Sequence, residues 1–244
     1  MPEVEGAGVA LHYAERGDGR PLLIVHGMAS DAAVWSPALD ELAAAGARVI
    51  AYDRRGYGAS GAPRPYAATT VQEQAEDAAA LLSALGAAPA VLVGEGFGAL
   101  VVLELLVRRP QLATAAVLAD PPLLAFVPAA TEALAAERSL LERALRDGDP
   151  REAIDAWLGP CADADRRERA RSSQIGFFAD YAGQASWSPA RRELRAIGLP
   201  VAVVTGHDSP PHIVAAADAA AALLPDARRR GDGDVVAAAC ALLA

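Results

Sequence analysis

The stretch VLVGEGFGALVVLELL, residues 91–106, constrains this chain more than any other. A short apolar run leads into Gly94-x-Gly96-x-Gly98, and a long apolar run of helical length follows. Alternating glycines between such segments predict a sharp strand-to-helix turn in which backbone passes against backbone. A dinucleotide-binding GxGxxG loop needs another spacing, so GEGFGA fits that fold poorly.

The strand–turn–helix rhythm recurs. PLLIVH (residues 21–26) and ARVIAYD (47–53) are apolar runs of the kind buried on both faces of a parallel sheet. The helical stretch DAAVWSPALDELAAAG between them ends at Gly46. Thr70-Val71-Gln72-Glu73 has capping-box spacing and opens a helix running through Leu85. LVVLELLVRR ends against Pro110, and TAAVLAD (114–120) is the next strand. From 123 to 199 the strand texture gives way to amphipathic, charged helical segments, among them ERSLLERALRDGDPREAIDAWL. PVAVVTGHD (200–208) restores it, a helix over 213–224 follows, and residues 235–243 close the chain. The expectation is one α/β core formed by 1–122 and 200–244, with a helical lid, 123–199, inserted.

Composition narrows the function. A net charge of −9 argues against nucleic acid or an anionic membrane surface as partner. All 22 basic residues are Arg, and Lys and Asn are absent, which points to a GC-rich bacterial gene. That absence removes a Lys Schiff base, a Walker-type phosphate lysine and an Asn-linked glycan. Cys161 and Cys240 have neither CxxC spacing nor a His pair nearby, so they read as reduced thiols in a cytoplasmic protein. The acidic N-terminal residues do not resemble a signal peptide, and no apolar stretch reaches membrane-spanning length. With no metal constellation and no phosphate loop, no cofactor is expected.

HYAERGDGRPLLIVHG, WSPALDELAAAGARVIAYDRRGYGAS, VLVGEGFGALVVLELLVRRP and LPVAVVTGHD, in that order, resemble the α/β-hydrolase superfamily along nearly the whole chain. They are most similar to its small esterase-, haloperoxidase- and polyketide-methylesterase-like members. The resemblance implies an α/β-hydrolase fold: a mostly parallel twisted sheet flanked by helices, with a helical lid. It also implies a Ser, Asp or Cys at the turn apex, an acid after a later strand and a His near the C-terminus.

Gly94 and Gly98 occupy the family's two small positions, which puts Gly96 at the apex, a nucleophile position without a nucleophile. With Glu95 at the apex instead, Phe97 would fall in a small slot. Asp208 falls where the family carries its acid, though an Asp before Ser-Pro-Pro also reads as a turn former. No His follows His212, so the family's histidine has no counterpart. His26, in the His-Gly turn, reads as buried and structural, while His207 and His212 are candidates for a displaced base.

By the same resemblance, the oxyanion hole consists of the backbone N–H groups of Met28 and Phe97, which no side-chain loss removes. Glu95 either tucks away as a structural residue or faces the void above Gly96, where desolvation would raise its pKa and make it an acid or base. Candidate ligand-binding residues are Gly27, Trp35, Trp157, Phe177, Phe178, Tyr181 and Trp187, with core packing the alternative for each lid aromatic. Arg54 and Arg55 read as scaffold or rim. Three functions stand: a cyclase, lyase, isomerase or non-covalent hydrolase acting on an apolar, aromatic or polyketide-like small molecule; a ligand-binding or scaffolding pseudoenzyme; and, least favoured, a residual esterase.

Overall fold

A computed structural model describes residues 2–160, 162–184 and 186–244. Cys161 therefore lies outside the described residues. The chain forms β1 (Glu3–Glu5), β2 (Ala10–Arg16), β3 (Arg20–Val25), α1 (Ser36–Ala44), β4 (Ala47–Tyr52), α2 (Val71–Ala84), β5 (Ala90–Glu95), α3 (Phe97–Arg108) and β6 (Ala113–Ala119). Then come α4 (Ala130–Asp147), α5 (Pro150–Leu158), α6 (Ala164–Ser172), α7 (Gln174–Gln184) and α8 (Arg191–Arg195). The chain returns to the sheet with β7 (Val201–Val204), α9 (Pro211–Leu223), β8 (Ala227–Arg230) and α10 (Val235–Leu243).

The eight strands lie in the order β1-β2-β4-β3-β5-β6-β7-β8. Pairing is antiparallel for β1/β2 and β2/β4 and parallel from β4 through β8. Side chains alternate between the sheet's two faces. Leu23 and Val25 join the core beneath α2, α3 and α9, while Leu22 and Ile24 join the one beneath α1 and α10. That double burial is why these strands read as unbroken apolar runs. No helix among the described residues is long and apolar enough to cross a membrane.

Local signals explain the helix ends. Thr70 caps α2 by accepting the Glu73 N–H at 3.0 Å. The reciprocal half of the capping box is replaced: the Glu73 carboxylate accepts from Thr69 Oγ1 at 2.9 Å and pairs with Arg55. β8 carries no strand signature, because its ARRR run has no apolar alternation. It is an edge strand whose arginines carry charge outward, Arg229 to Asp218 at 2.8 Å and Arg230 to Asp232 at 2.7 Å.

Between β6 and β7 the described chain is helical and packs around a small core of Leu141, Ala153, Ile154, Ala170 and Phe177, which Ala29 of the loop after β3 also joins. Buried polar contacts join it to the rest of the fold. Arg54 pairs with Asp180 of α7 at 2.7 Å, and Trp187 Nε1 donates to Glu104 of α3 at 2.9 Å.

Candidate active site

The strand-to-helix turn after β5 is as tight as its glycines demand. A Cβ on Gly94 would lie 2.5 Å from the Gly98 carbonyl oxygen, and one on Gly98 would run into the Val25 carbonyl oxygen. Gly96 differs: at φ 52° it holds left-handed backbone, yet a Cβ there would meet only the Gly27 Cα, at 3.8 Å. Two of the three glycines are imposed by close approach, and the third stands before open space.

That space is a cavity of about 340 Å³ at the C-terminal ends of the parallel strands. Gly27, Met28, Glu95, Gly96 and Phe97 line its floor. Leu134, Glu137, Trp157, Leu158 and Tyr181 line it from the helical insert, with Asp120, Arg166 and His212 at its sides. Met28 and Phe97 thus both border the space above Gly96, with Phe97 at the first position of α3, where unpaired N–H groups and the helix dipole favour negative charge.

The loop presenting Met28 is braced from behind by buried groups. His26 Nδ1 lies 2.8 Å from the Gly27 carbonyl oxygen, and its Nε2 accepts the Arg54 N–H at 3.0 Å. Burial, then the Arg54 charge, holds this imidazole well below its ordinary pKa, so it is neutral and structural. Arg54 Nε donates to the His26 carbonyl, and its second terminal nitrogen to the Gly27 carbonyl, both at 2.8 Å. Its guanidinium packs on the Tyr57 and Phe97 rings at 4.6 and 4.9 Å. Arg54 is scaffold, as is Arg55, which donates to Asp77 at 2.5 and 2.8 Å.

Glu95 borders the cavity. Its carboxyl carbon stands 3.6 Å from where a Cβ on Gly27 would be. Burial pushes its pKa up; Arg166 pulls it down, Asp120 pushes it up further, and the Gly27 backbone moderates the rise. Across the cavity, burial also raises Glu137, offset by hydrogen bonds from Trp157 and Tyr181 and by the proximity of His212.

Other sequence candidates are dispersed. Asp208 and His207 occupy an exposed turn after β7, and neither borders the cavity; His212, in the first turn of α9, does. The carboxylate that the fold delivers beside Glu95 is Asp120, at the end of β6. It adopts φ 46°, a conformation Asp tolerates, and accepts the Ser209 hydroxyl at 2.6 Å. Trp157 and Tyr181 line the cavity. Phe178 and Trp187 instead line an adjoining groove of about 850 Å³, shared with Tyr181 and Glu137. Phe177 is fully buried behind them, edge-on to Trp157 and Phe178 at 5.1 Å. Trp35 borders a separate cleft.

Asp120, Glu137 and Arg166 join the site although none is singled out by a sequence motif. Asp120 had a signal, a carboxylate ending a strand before a Pro-Pro break. Glu137 and Arg166 had none, lying among the charged residues of helices whose ligand-facing side the sequence does not mark.

A tight glycine elbow, backbone donors at a helix start and a helical roof define a hydrolase-type scaffold. The sequence profile described as alpha/beta hydrolase fold matches residues 20–235, and the chain belongs to that family. An epoxide hydrolase of Caballeronia sordidicola is 38% identical over 104 residues, 43% of this chain and 32% of that one. The chain spans less than half the length of the curated relatives it matches. An α/β hydrolase from Sphaerobacter thermophilus superposes with a TM-score of 0.79 at 23% identity, covering 100% of both chains. A thermophilic esterase from Thermogutta terrifontis does so with 0.73 at 25% identity, covering 95% of this chain and 89% of that one.

Proposed function

We propose that this protein is an enzyme that uses the α/β-hydrolase scaffold without an acyl-enzyme intermediate. A carbonyl, enolate or phenolate oxygen sits against the Met28 and Phe97 N–H groups, and Glu95 moves the proton. The substrate is an apolar, aromatic or polyketide-like small molecule whose body lies under Trp157, Tyr181 and Leu134. The reaction class is a cyclisation, elimination, isomerisation or direct attack by water. The observation that carries this reading is that Glu95, its carboxyl raised by burial, borders the same cavity as Gly96, Met28 and Phe97. Asp208, the other carboxylate the sequence offered, is exposed and outside it.

The test is turnover on a panel of lactones, enol esters and polyphenolic ketones, comparing the parent with Glu95→Gln and Asp208→Ala. Loss of a positioned acid–base group removes about 10²- to 10⁴-fold in rate. Glu95→Gln should show that loss and Asp208→Ala should not; full activity in Glu95→Gln would overturn the assignment. The absence of a side chain at Gly96 and of any His after His212 favours a second reading, a ligand-binding pseudoenzyme. That reading predicts saturable ligand binding with no substrate consumed by the parent.

A further inference from the structure

Residues 130, 134, 137 and 141 of α4 follow the spacing of a single helix stripe. Ala130 and Leu141 on that stripe are buried, and Leu134 borders the cavity above Gly96. The remaining place belongs to Glu137, a carboxylate in an otherwise apolar line, and it borders the same cavity. Trp157 of α5 and Tyr181 of α7 donate hydrogen bonds to it, so three helices of the insert position this one side chain.

A purely structural role does not need an ionisable group there. Both donors are neutral, and the amide oxygen of a glutamine would accept from them at a lower desolvation cost. Nor is the charge used in an ion pair: among the described residues none includes Glu137, although Arg138 beside it pairs with Glu142 at 2.8 Å. What a carboxyl adds to an amide is a proton that can be given and taken.

Glu95 and Glu137 border one cavity from its floor and its roof, and each is half-buried. Their neighbours differ. Arg166, a permanent cation, favours Glu95 as a carboxylate, whereas Glu137 meets two neutral donors and His212. A base at one end of a substrate and an acid at the other suit a reaction that removes a proton and also protonates a leaving group.

We propose that Glu137 is a second catalytic residue, the general acid that protonates the leaving oxygen of an ester or lactone whose leaving group is a poor, alkoxide-type one. This rests on the reading of Glu95 as the proton-transfer group and narrows its reaction to direct attack by water. The water oxygen bonds to the carbonyl carbon as its proton passes to Glu95, and the carbonyl oxygen takes up negative charge at the Met28 and Phe97 N–H groups. As the carbonyl re-forms, the bond to the leaving oxygen breaks and that oxygen takes the Glu137 proton. One ester and one water give one acid and one alcohol. Glu95 is left protonated and Glu137 ionised, and proton exchange with water resets both.

The experiment compares hydrolysis of benzyl and 4-nitrophenyl phenylacetate by the parent, Glu137→Gln and Glu95→Gln. The 4-nitrophenolate ion leaves without an acid, and the benzyl alkoxide does not. Glu137→Gln keeps an acceptor for Trp157 and Tyr181, yet kcat on the benzyl ester should fall about 10²-fold or more, with KM changing far less. On the nitrophenyl ester it should stay within about threefold of the parent. Glu95→Gln should lose both esters alike. Equal losses on the two esters in Glu137→Gln, or none, would overturn the proposal and leave Glu95 standing. Selective loss in Glu137→Gln with full activity in Glu95→Gln would overturn the role of Glu95 and leave Glu137 as the acid. A parent that hydrolyses neither ester overturns both. Should Glu137→Gln not fold, Glu137→Asp decides: the same acid withdrawn by one methylene should show the same preference for the nitrophenyl ester, at smaller size.

Discussion

The guanidinium of Arg54 stands 2.7 Å from the carboxylate of Asp180, and both side chains are wholly buried. One belongs to the loop after β4 and the other to α7, so the pair ties the helical insert to the loop that presents Met28. Tyr57 and Gln74 also donate to Asp180, at 2.7 and 2.6 Å. Removing one partner of a buried pair strands the other charge, at about 3–5 kcal/mol. Asp180→Ala should lose about that much in urea denaturation. A loss under about 1 kcal/mol would mean that Arg54 finds another partner or water.

The three elbow glycines should differ sharply when given a methyl group. Gly98→Ala drives its Cβ into the Val25 carbonyl and Gly94→Ala into that of Gly98, so both should fail to fold or lose several kcal/mol, on the order of the worst overpacking changes. Gly96→Ala meets open space, and only its positive-φ backbone (φ 52°, ψ −120°), at about 1–3 kcal/mol, opposes it. Equal losses at 96 and 98 in chemical denaturation would contradict this elbow.

Glu95 gives stability a pH signature. Its carboxyl titrates above the ordinary 4.5 because burial disfavours the charge. The neutral form therefore contributes its stability fully below about pH 4.5, and that contribution is lost as pH rises through the raised value. Glu95→Gln, a permanent mimic of the neutral form, should be more stable than the parent at pH 7 and indistinguishable from it in acid below 4.5. Denaturation at both pH values checks this; a difference independent of pH would assign it to packing.

Phe177 is fully buried in the third hydrophobic cluster, beside three aromatic rings of the insert. Phe177→Ala should remove about 3–5 kcal/mol. Because this cluster meets the sheet's clusters only through Met28 and Ala29 of the loop after β3, the loss should be largely local. Hydrogen exchange should quicken in α5 and α7 while β3 and β5 stay protected; uniform quickening would show that the insert and sheet unfold together.

The site was legible wherever backbone geometry alone decided it. Gly94 and Gly98 announced the elbow because no other residue tolerates the approach, and Gly96 followed from their register. His26 was legible as structural from its place in the His-Gly turn. Asp208 was not, because its place after β7 fixes the loop it belongs to but not which way the loop turns; its turn opens to solvent, and Ser209 is the residue that reaches Asp120. The aromatics were recognisable as a cluster, yet helix rotation sends Trp157 to the cavity and Phe177 into the insert's core.

The order of the strands and helices other than β8, the elbow and the glycine at its apex are properties of the sequence itself, since apolar period and steric exclusion act between near neighbours. Which carboxylates converge was decided only in three dimensions. Glu95, Asp120 and Glu137 come from β5, the end of β6 and α4, and nothing local to any of them records the others. Their proximity, and the burial that raises Glu95 and Glu137, arise from long-range packing of the insert onto the sheet.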